Sequence, residues 1–142
     1  MKRKVFFSKT ARLMLREGIK TVKKGDREFT KKYLMVDIIK GDQRISMAFS
    51  PKECIRIHRV GMSEVLGSQR NYRDLLVHRF NNALSSFSLG VWTDRDTGQV
   101  KGFTVSMVKG DKMVSIALDE DDFELFLALV RKWGLEIANE EE

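Results

Sequence analysis

The sequence predicts an α+β fold made of two tandem antiparallel ββββα repeats, packed as one pseudo-twofold domain. The first observation is an internal repeat, since residues 39–49 read IKGDQRISMAF and residues 108–118, 69 positions later, read VKGDKMVSIAL. The second is that alternating apolar residues flank each Lys-Gly-Asp, which is typical of a hairpin turn because glycine adopts positive φ without steric cost. The third is that a capped helix start follows each copy.

The length and composition indicate one domain. The 142 residues and 42% hydrophobic content are ordinary for a globular protein with a core of its own. We divide the chain into repeat 1 (11–61), a connecting segment for which a helix is one alternative (62–86), repeat 2 (87–136) and an acidic tail (137–142). No apolar run approaches the roughly 20 residues of a membrane helix, and the N-terminus lacks the apolar region of a signal peptide.

Repeat 1 is expected to contain four extended segments and one helix. The segment 11–16 fits a short helix or a strand, and its alternating leucines favour a strand. The segment 19–24 is expected to be a short separate strand with Val22 facing inward. In the strand over 29–39, every second residue from Leu34 is expected on the buried face. After the next strand, Ser50 caps a helix that Gly61 ends.

The connecting segment leaves two alternatives open. Apolar residues at helical spacing favour a helix over about 71–84. The 69-residue offset instead aligns residues 82–85 with residues 13–16, for which a strand is favoured.

Repeat 2 has a clearer pattern. It is predicted to contain strands over 87–93, 101–108 and 113–118, with a hairpin loop over 94–98. A helix begins at Glu120 and buries Phe123, Phe126 and later apolar residues. Gly134 is expected to end this helix, which leaves a frayed acidic tail from Asn139.

Charge is distributed unevenly along the chain. Residues 1–80 contain 20 Lys and Arg against 8 Asp and Glu, whereas residues 81–142 contain 6 against 12. Such an asymmetry indicates either an anionic partner for the first half or two halves that attract each other.

The paired sheets with C-terminal helices resemble a group of single-stranded nucleic-acid-binding proteins. This group comprises the Whirly proteins, the PUR-repeat proteins, the kinetoplastid mitochondrial RNA-binding proteins and the positive coactivator family. The resemblance covers about 19–59 and 88–134, and it rests on element order, duplication and the Lys-Gly-Asp hairpins. It implies sequence-independent binding of single-stranded DNA, or of RNA, across the sheets, in transcription or genome maintenance.

Single-strand binding requires cations along the backbone path and flat side chains on which bases stack. The candidate nucleic-acid-binding residues are Lys20, Lys23, Lys24, Arg27, Lys31, Lys32, Tyr33, Lys40, Arg44, Trp92, Lys101, Lys109 and Lys112. For the lysines, solvation of a strand edge is an alternative. For both aromatic residues, burial between the repeats is an alternative.

Catalysis and cofactors find no support in the sequence. A single Cys54, expected in the core, and two distant histidines form no zinc pattern, and His58 is expected to cap the first helix as a cation. We therefore expect a non-enzymatic intracellular protein without a cofactor. One alternative is a protein-interaction module whose sheets mediate oligomerisation and whose charges only keep it in solution. Another is a ligand sensor with a pocket between the repeats. Separately, the acidic second helix is a candidate docking surface for a basic protein.

Overall fold

Two antiparallel sheets and two helices form the structure. The computed structural model describes residues 2–67, 75–79 and 85–140, with the backbone only for 75–79. The first sheet has the order β1-β2-β3-β4, with β1 Arg3–Phe7, β2 Arg12–Lys24, β3 Arg27–Lys40 and β4 Gln43–Phe49. The second has the order β5-β6-β7-β8, with β5 Leu75–Arg79, β6 Ser85–Thr93, β7 Val100–Lys109 and β8 Lys112–Leu118. Helix α1, Pro51–Val60, follows the first sheet, and α2, Glu120–Glu140, follows the second. The predicted α+β class is confirmed.

The two Lys-Gly-Asp hairpins have the same register. Asp37 pairs with Ser46 in the first sheet, and Ser106 pairs with Ser115 in the second, again 69 positions later. Gly41 and Gly110 adopt φ values of 59° and 66°, which side chains disfavour. The predicted turns are therefore confirmed at both places.

One hydrophobic core joins both sheets and both helices. Leu34, Val36 and Ile38 are fully buried, as the alternation predicts. The rings of Phe49 in β4 and Phe87 in β6 meet edge to face with centroids 5.0 Å apart. The inner face of each sheet thus supports the other half of the chain.

Helix α1 begins as predicted but does not end as predicted. Ser50 and Glu53 form a capping box, with the Ser50 amide donating to Glu53 over 2.9 Å. Gly61 retains right-handed helical dihedral angles, and the chain continues as a π-helix over Gly61–Leu66. A Cβ atom on Gly61 would lie 2.5 Å from Leu127 Cδ2, so this glycine permits close packing of α2 and is not a helix stop.

Helix α2 is longer than predicted. Its backbone passes through Gly134 and continues to Glu140, so the tail up to that residue is helical and not frayed. Gly134 is buried, and a Cβ atom there would lie 2.6 Å from Cys54 Cβ. The glycine that suggested a C-cap instead allows α2 to cross α1 closely.

Two further expectations were wrong. Of the two alternatives left open for 71–84, the helix is wrong over Leu75–Arg79, which form β5, and the rest of that segment lies outside the described residues. The short strand over 19–24 is the second half of one continuous strand, β2, which begins at Arg12. Val22 pairs with Phe29 and lies on the face away from the core.

Within the described parts of the chain, neither helix combines the length and the apolar character that crossing a membrane requires.

Candidate nucleic-acid interface

The hairpin of β2 and β3 extends beyond its neighbours in the first sheet. Strand β1 pairs only with residues 12–16 of β2, and β4 pairs only with residues 34–40 of β3. The remaining residues, 17–24 and 27–33, form a two-stranded ribbon that ends at the Gly25 turn. Most of its side chains are exposed to solvent.

Charge separates by face along the first sheet. We call the side away from the core, to which Tyr33 and Met35 belong, the outer face. The unbroken register gives this face every second strand residue, because side chains alternate along a strand. Within these four strands its cationic residues are Arg3, Arg12, Arg16, Lys20, Lys24, Arg27, Lys31 and Arg44. Its acidic residue in the same strands is Asp37.

Tyr33 lies beside two of these cations. The Nζ atoms of Lys20 and Lys31 lie 5.5 and 5.7 Å from its ring centroid. Phe29, four residues earlier on the same face of β3, is 45% exposed. The ribbon therefore combines flat rings with ammonium groups, which is the chemistry that stacks bases and neutralises phosphates.

Asp37 organises the two arginines at the centre of the outer face. Its carboxylate is fully buried and accepts hydrogen bonds from Arg16 Nε at 2.8 Å and from Arg44 Nη2 at 3.2 Å. Burial alone would raise the pKa of Asp37, but hydrogen bonds from Arg16 and Ser46 and the charges of both arginines lower it below its ordinary value. Asp37 is therefore ionised and holds both guanidinium groups in place.

Three of the predicted cations lie on the opposite side of the strands. Lys23 pairs with Glu28 at 3.3 Å, and Lys32 pairs with Glu140 of α2 at 2.6 Å. Lys40 lies at the end of β3, where it lines a groove beside the second sheet. The first sheet thus gathers Lys20, Lys24, Arg27, Lys31, Tyr33 and Arg44 on its outer face but not these three lysines.

In the second half, Trp92 and Lys101 are brought together. Lys101 Nζ lies 5.4 Å from the centroid of the Trp92 ring and 3.2 Å from Asp94 Oδ2. Asp94 Oδ1 accepts from the amides of Asp96 and Thr97, so the loop fixes the carboxylate that orients Lys101. Trp92 is 51% exposed, so the alternative of burial between the repeats is wrong for this residue.

Lys109 and Lys112 are separate from this pair. They face each other at the opposite end of the β7–β8 hairpin. Lys109 is seven residues along β7 from Gly102, the partner of Trp92, which corresponds to about 23 Å along the strand.

Sequence reasoning missed several outer-face residues. Arg3, Arg12, Arg16 and Phe29 were not among the candidates, although all lie on the same face as Tyr33. Alternation over one strand from Arg12 to Lys24 would have identified Arg12 and Arg16. The assumed break before residue 19 concealed this signal.

Cys54 and His58, the residues considered for metal binding or catalysis, both lie in helix α1. Burial, with a contribution from Glu53, raises the pKa of Cys54 to about 12. His58 lies in the last turn of α1, as predicted, but burial and the charge of Arg131 lower its pKa and so disfavour the cationic form expected there. The part of the chain that the structure describes contains no group of three or more His, Cys, Asp and Glu residues arranged to hold a metal ion.

No protein-family model matches the chain, and no curated protein sequence is significantly similar to it. The resemblance to single-strand-binding families consequently stays a prediction, and functional inference rests on the site itself.

Proposed function

We propose that the protein binds single-stranded nucleic acid, DNA in preference to RNA and largely without sequence selection, along the outer face of the first sheet. The observation that carries this proposal is the charge separation, because the outer face of β1–β4 combines eight cations with one buried, paired carboxylate. The other side of the ribbon instead contains lysines paired with glutamates.

The rings on this face provide stacking positions. Tyr33 and the more exposed Phe29 lie four residues apart on β3, which corresponds to about 13 Å along the strand. Bases stacked on these rings would place their phosphates beside Lys20 and Lys31. A base stacked on an aromatic ring is worth about 1–3 kcal/mol whatever the base, which is consistent with tolerance of sequence.

The arginines held by Asp37 continue the cationic path beyond the ribbon. Asp37 uses two N–H donors of Arg16 and one of Arg44. Each guanidinium group has five donors, so most remain for phosphate oxygens. Because the carboxylate already fixes both side chains, binding would order them at a small entropic cost.

We also propose that the two halves arose by duplication and pack about a pseudo-twofold axis. The support is the shared 69-residue offset of the β3–β4 and β7–β8 registers and the order of four strands followed by a helix in each half. The outer faces have since diverged, since the outer-face positions of β6 and β8 in the second sheet carry no lysine or arginine.

A binding titration tests the proposed function. Labelled single-stranded and duplex oligonucleotides of one sequence are titrated with the protein at several salt concentrations. We expect affinity for the single strand to exceed that for the duplex and to fall with salt by about 0.7 log units per phosphate contact for each tenfold increase. Absence of binding at low salt would contradict the proposal and favour the protein-interaction module.

A matched pair of variants tests whether the strand binds to the outer face of the first sheet. Lys20→Gln removes an outer-face cation, and Lys23→Gln removes a cation of the same strand on the other side. We expect only Lys20→Gln to weaken binding appreciably. Equal losses would show that the outer face has no special role.

A further inference from the structure

A groove separates the end of the first sheet from the outer face of the second. One side is formed by the β1–β2 loop, Ser8 to Thr10, together with Lys40, and the floor is formed by β7 and β8. Its volume is about 810 Å³, which falls within the range of small-ligand sites. The loop is fixed in place, because the Ser8 amide donates to the Ala11 carbonyl over 2.9 Å and the Ala11 amide donates back to Ser8 Oγ over 3.0 Å.

The groove contains an accessible indole ring. Trp92 pairs across the sheet with Gly102, which has no side chain to cover the ring, while Lys101 Nζ lies over one face of the ring, 5.4 Å from its centroid. Ala117 on β8 is also small, so the floor beside the ring is shallow and open. An aromatic ligand could therefore lie flat against the face of Trp92 opposite Lys101.

The groove also has a positive charge. Lys9 and Lys40 are exposed and have no ion-pair partner among residues 2–67 and 85–140. Lys101 is already paired with Asp94. The carboxylate that lines the groove, Asp119, accepts the Asp122 amide at the start of α2 over 2.7 Å. Two free ammonium groups therefore remain for an anion.

A residue of the floor, Thr104, has a hydroxyl group that lacks a hydrogen-bond partner. Thr104 Oγ1 is buried and makes no hydrogen bond within the described part of the chain. The neighbouring Ser115 hydroxyl is bonded to Ser106 at 2.8 Å, so it does not satisfy Thr104. A buried polar group is normally paired, and a polar ligand atom that reaches Thr104 Oγ1 from the groove would supply the missing partner.

We propose that this groove binds a nucleoside phosphate, with the base stacked on Trp92, the phosphate between Lys9 and Lys40, and a polar edge of the ligand bonded to Thr104. This groove is a second site, separate from the outer face of the first sheet. The proposal therefore goes beyond the binding of a strand on that face. A free nucleotide and one nucleotide of a strand share this chemistry.

Calorimetric titration with adenosine 5′-monophosphate tests the site. We expect saturable binding by the wild-type protein and a loss of about tenfold or more in Trp92→Ala, because a stacking ring is removed. Lys9→Gln with Lys40→Gln should cause a comparable loss and abolish the preference for the monophosphate over adenosine. Melting temperatures of both variants should match the wild type, since these side chains are exposed. No saturable binding of any of the four common nucleoside monophosphates, or unchanged affinity in both variants, overturns the proposal.

Two further arms identify the source of the ligand and separate this site from the first sheet. Displacement of bound monophosphate by a single-stranded oligonucleotide supports the groove as a strand subsite, and simultaneous binding supports it as a free-nucleotide site. Lys20→Gln with Lys31→Gln should leave monophosphate affinity unchanged. Monophosphate binding without any oligonucleotide binding would support the groove and contradict the proposed function. If the protein binds no monophosphate, and its binding of an oligonucleotide does not change in Trp92→Ala, the proposed function is supported and the groove is contradicted.

Discussion

Arg16 Nε donates to Asp37 Oδ2 over 2.8 Å, which places a guanidinium group and a fully buried carboxylate at the centre of the outer face. Arg44 approaches the same oxygen from β4. A single carboxylate therefore links three neighbouring strands of the first sheet.

Asp37→Asn should destabilise the fold by about 1–3 kcal/mol, because two guanidinium groups lose their anionic partner. The size of this loss should depend on pH. The pKa of Asp37 is lowered on folding, so its stabilising effect is complete above the unfolded pKa of about 3.9 and disappears as the pH falls through the folded value.

Urea unfolding at several pH values measures this effect. The difference between the wild type and Asp37→Asn should be largest near pH 7 and should close well below pH 4. Glu28→Gln, which removes an exposed ion-pair partner, is the control and should change stability by no more than about 1 kcal/mol. A pH-independent difference for Asp37→Asn would show that the carboxylate charge is not what stabilises this site.

Gly134→Ala tests the crossing of α1 and α2. Alanine usually stabilises a helix by about 1 kcal/mol relative to glycine. Here the added Cβ would lie 2.6 Å from Cys54 Cβ, so we expect a net loss of about 1–3 kcal/mol from overpacking. Thermal unfolding measures the change. Asn139→Ala, at an exposed position of the same helix, is the control, and a stabilised Gly134→Ala protein would contradict the close crossing.

Cys54 should be unreactive in the folded protein. Burial, together with the nearby charge of Glu53, raises the pKa of its thiol to about 12, so the thiolate is scarce at pH 8. A colorimetric thiol reagent should react at a rate that follows the unfolding transition in urea, with rapid reaction in the denatured protein as the control. Rapid reaction under native conditions would show that the thiol is accessible.

Tyr33→Ala should weaken binding of a single-stranded oligonucleotide by about fivefold to a hundredfold, because one stacking ring is lost. The side chain lies partly exposed on the ribbon, so the melting temperature should change little. Tyr33→Phe retains the ring and should restore most of the affinity. If Tyr33→Phe is as weak as Tyr33→Ala, the hydroxyl and not the ring makes the contact.

Local sequence signals were sufficient for much of the fold. The Lys-Gly-Asp turns, the alternation of Leu34, Val36 and Ile38, and the capping box at Ser50 depend on neighbouring residues, and the structure contains all of them. Gly61 and Gly134 were wrongly predicted to end helices. In the sequence, a glycine that ends a helix cannot be distinguished from one that allows close packing.

The candidate site was only partly accessible from the sequence. The outer-face cations follow from alternation once β2 is taken as one strand, so that information was present. The groove depends on packing, because Lys9, Lys40 and Trp92 come from distant parts of the chain and meet only when the two sheets come together. No local pattern encodes that proximity.

The most direct test of the central claim is the salt dependence of single-strand binding in the wild type and in Lys20→Gln with Lys31→Gln. The account predicts that removing these two ammonium groups lowers affinity and makes the slope of log affinity against log salt shallower by about 1.4. An unchanged slope and affinity in the double variant would show that the strand does not cross the outer face of the first sheet.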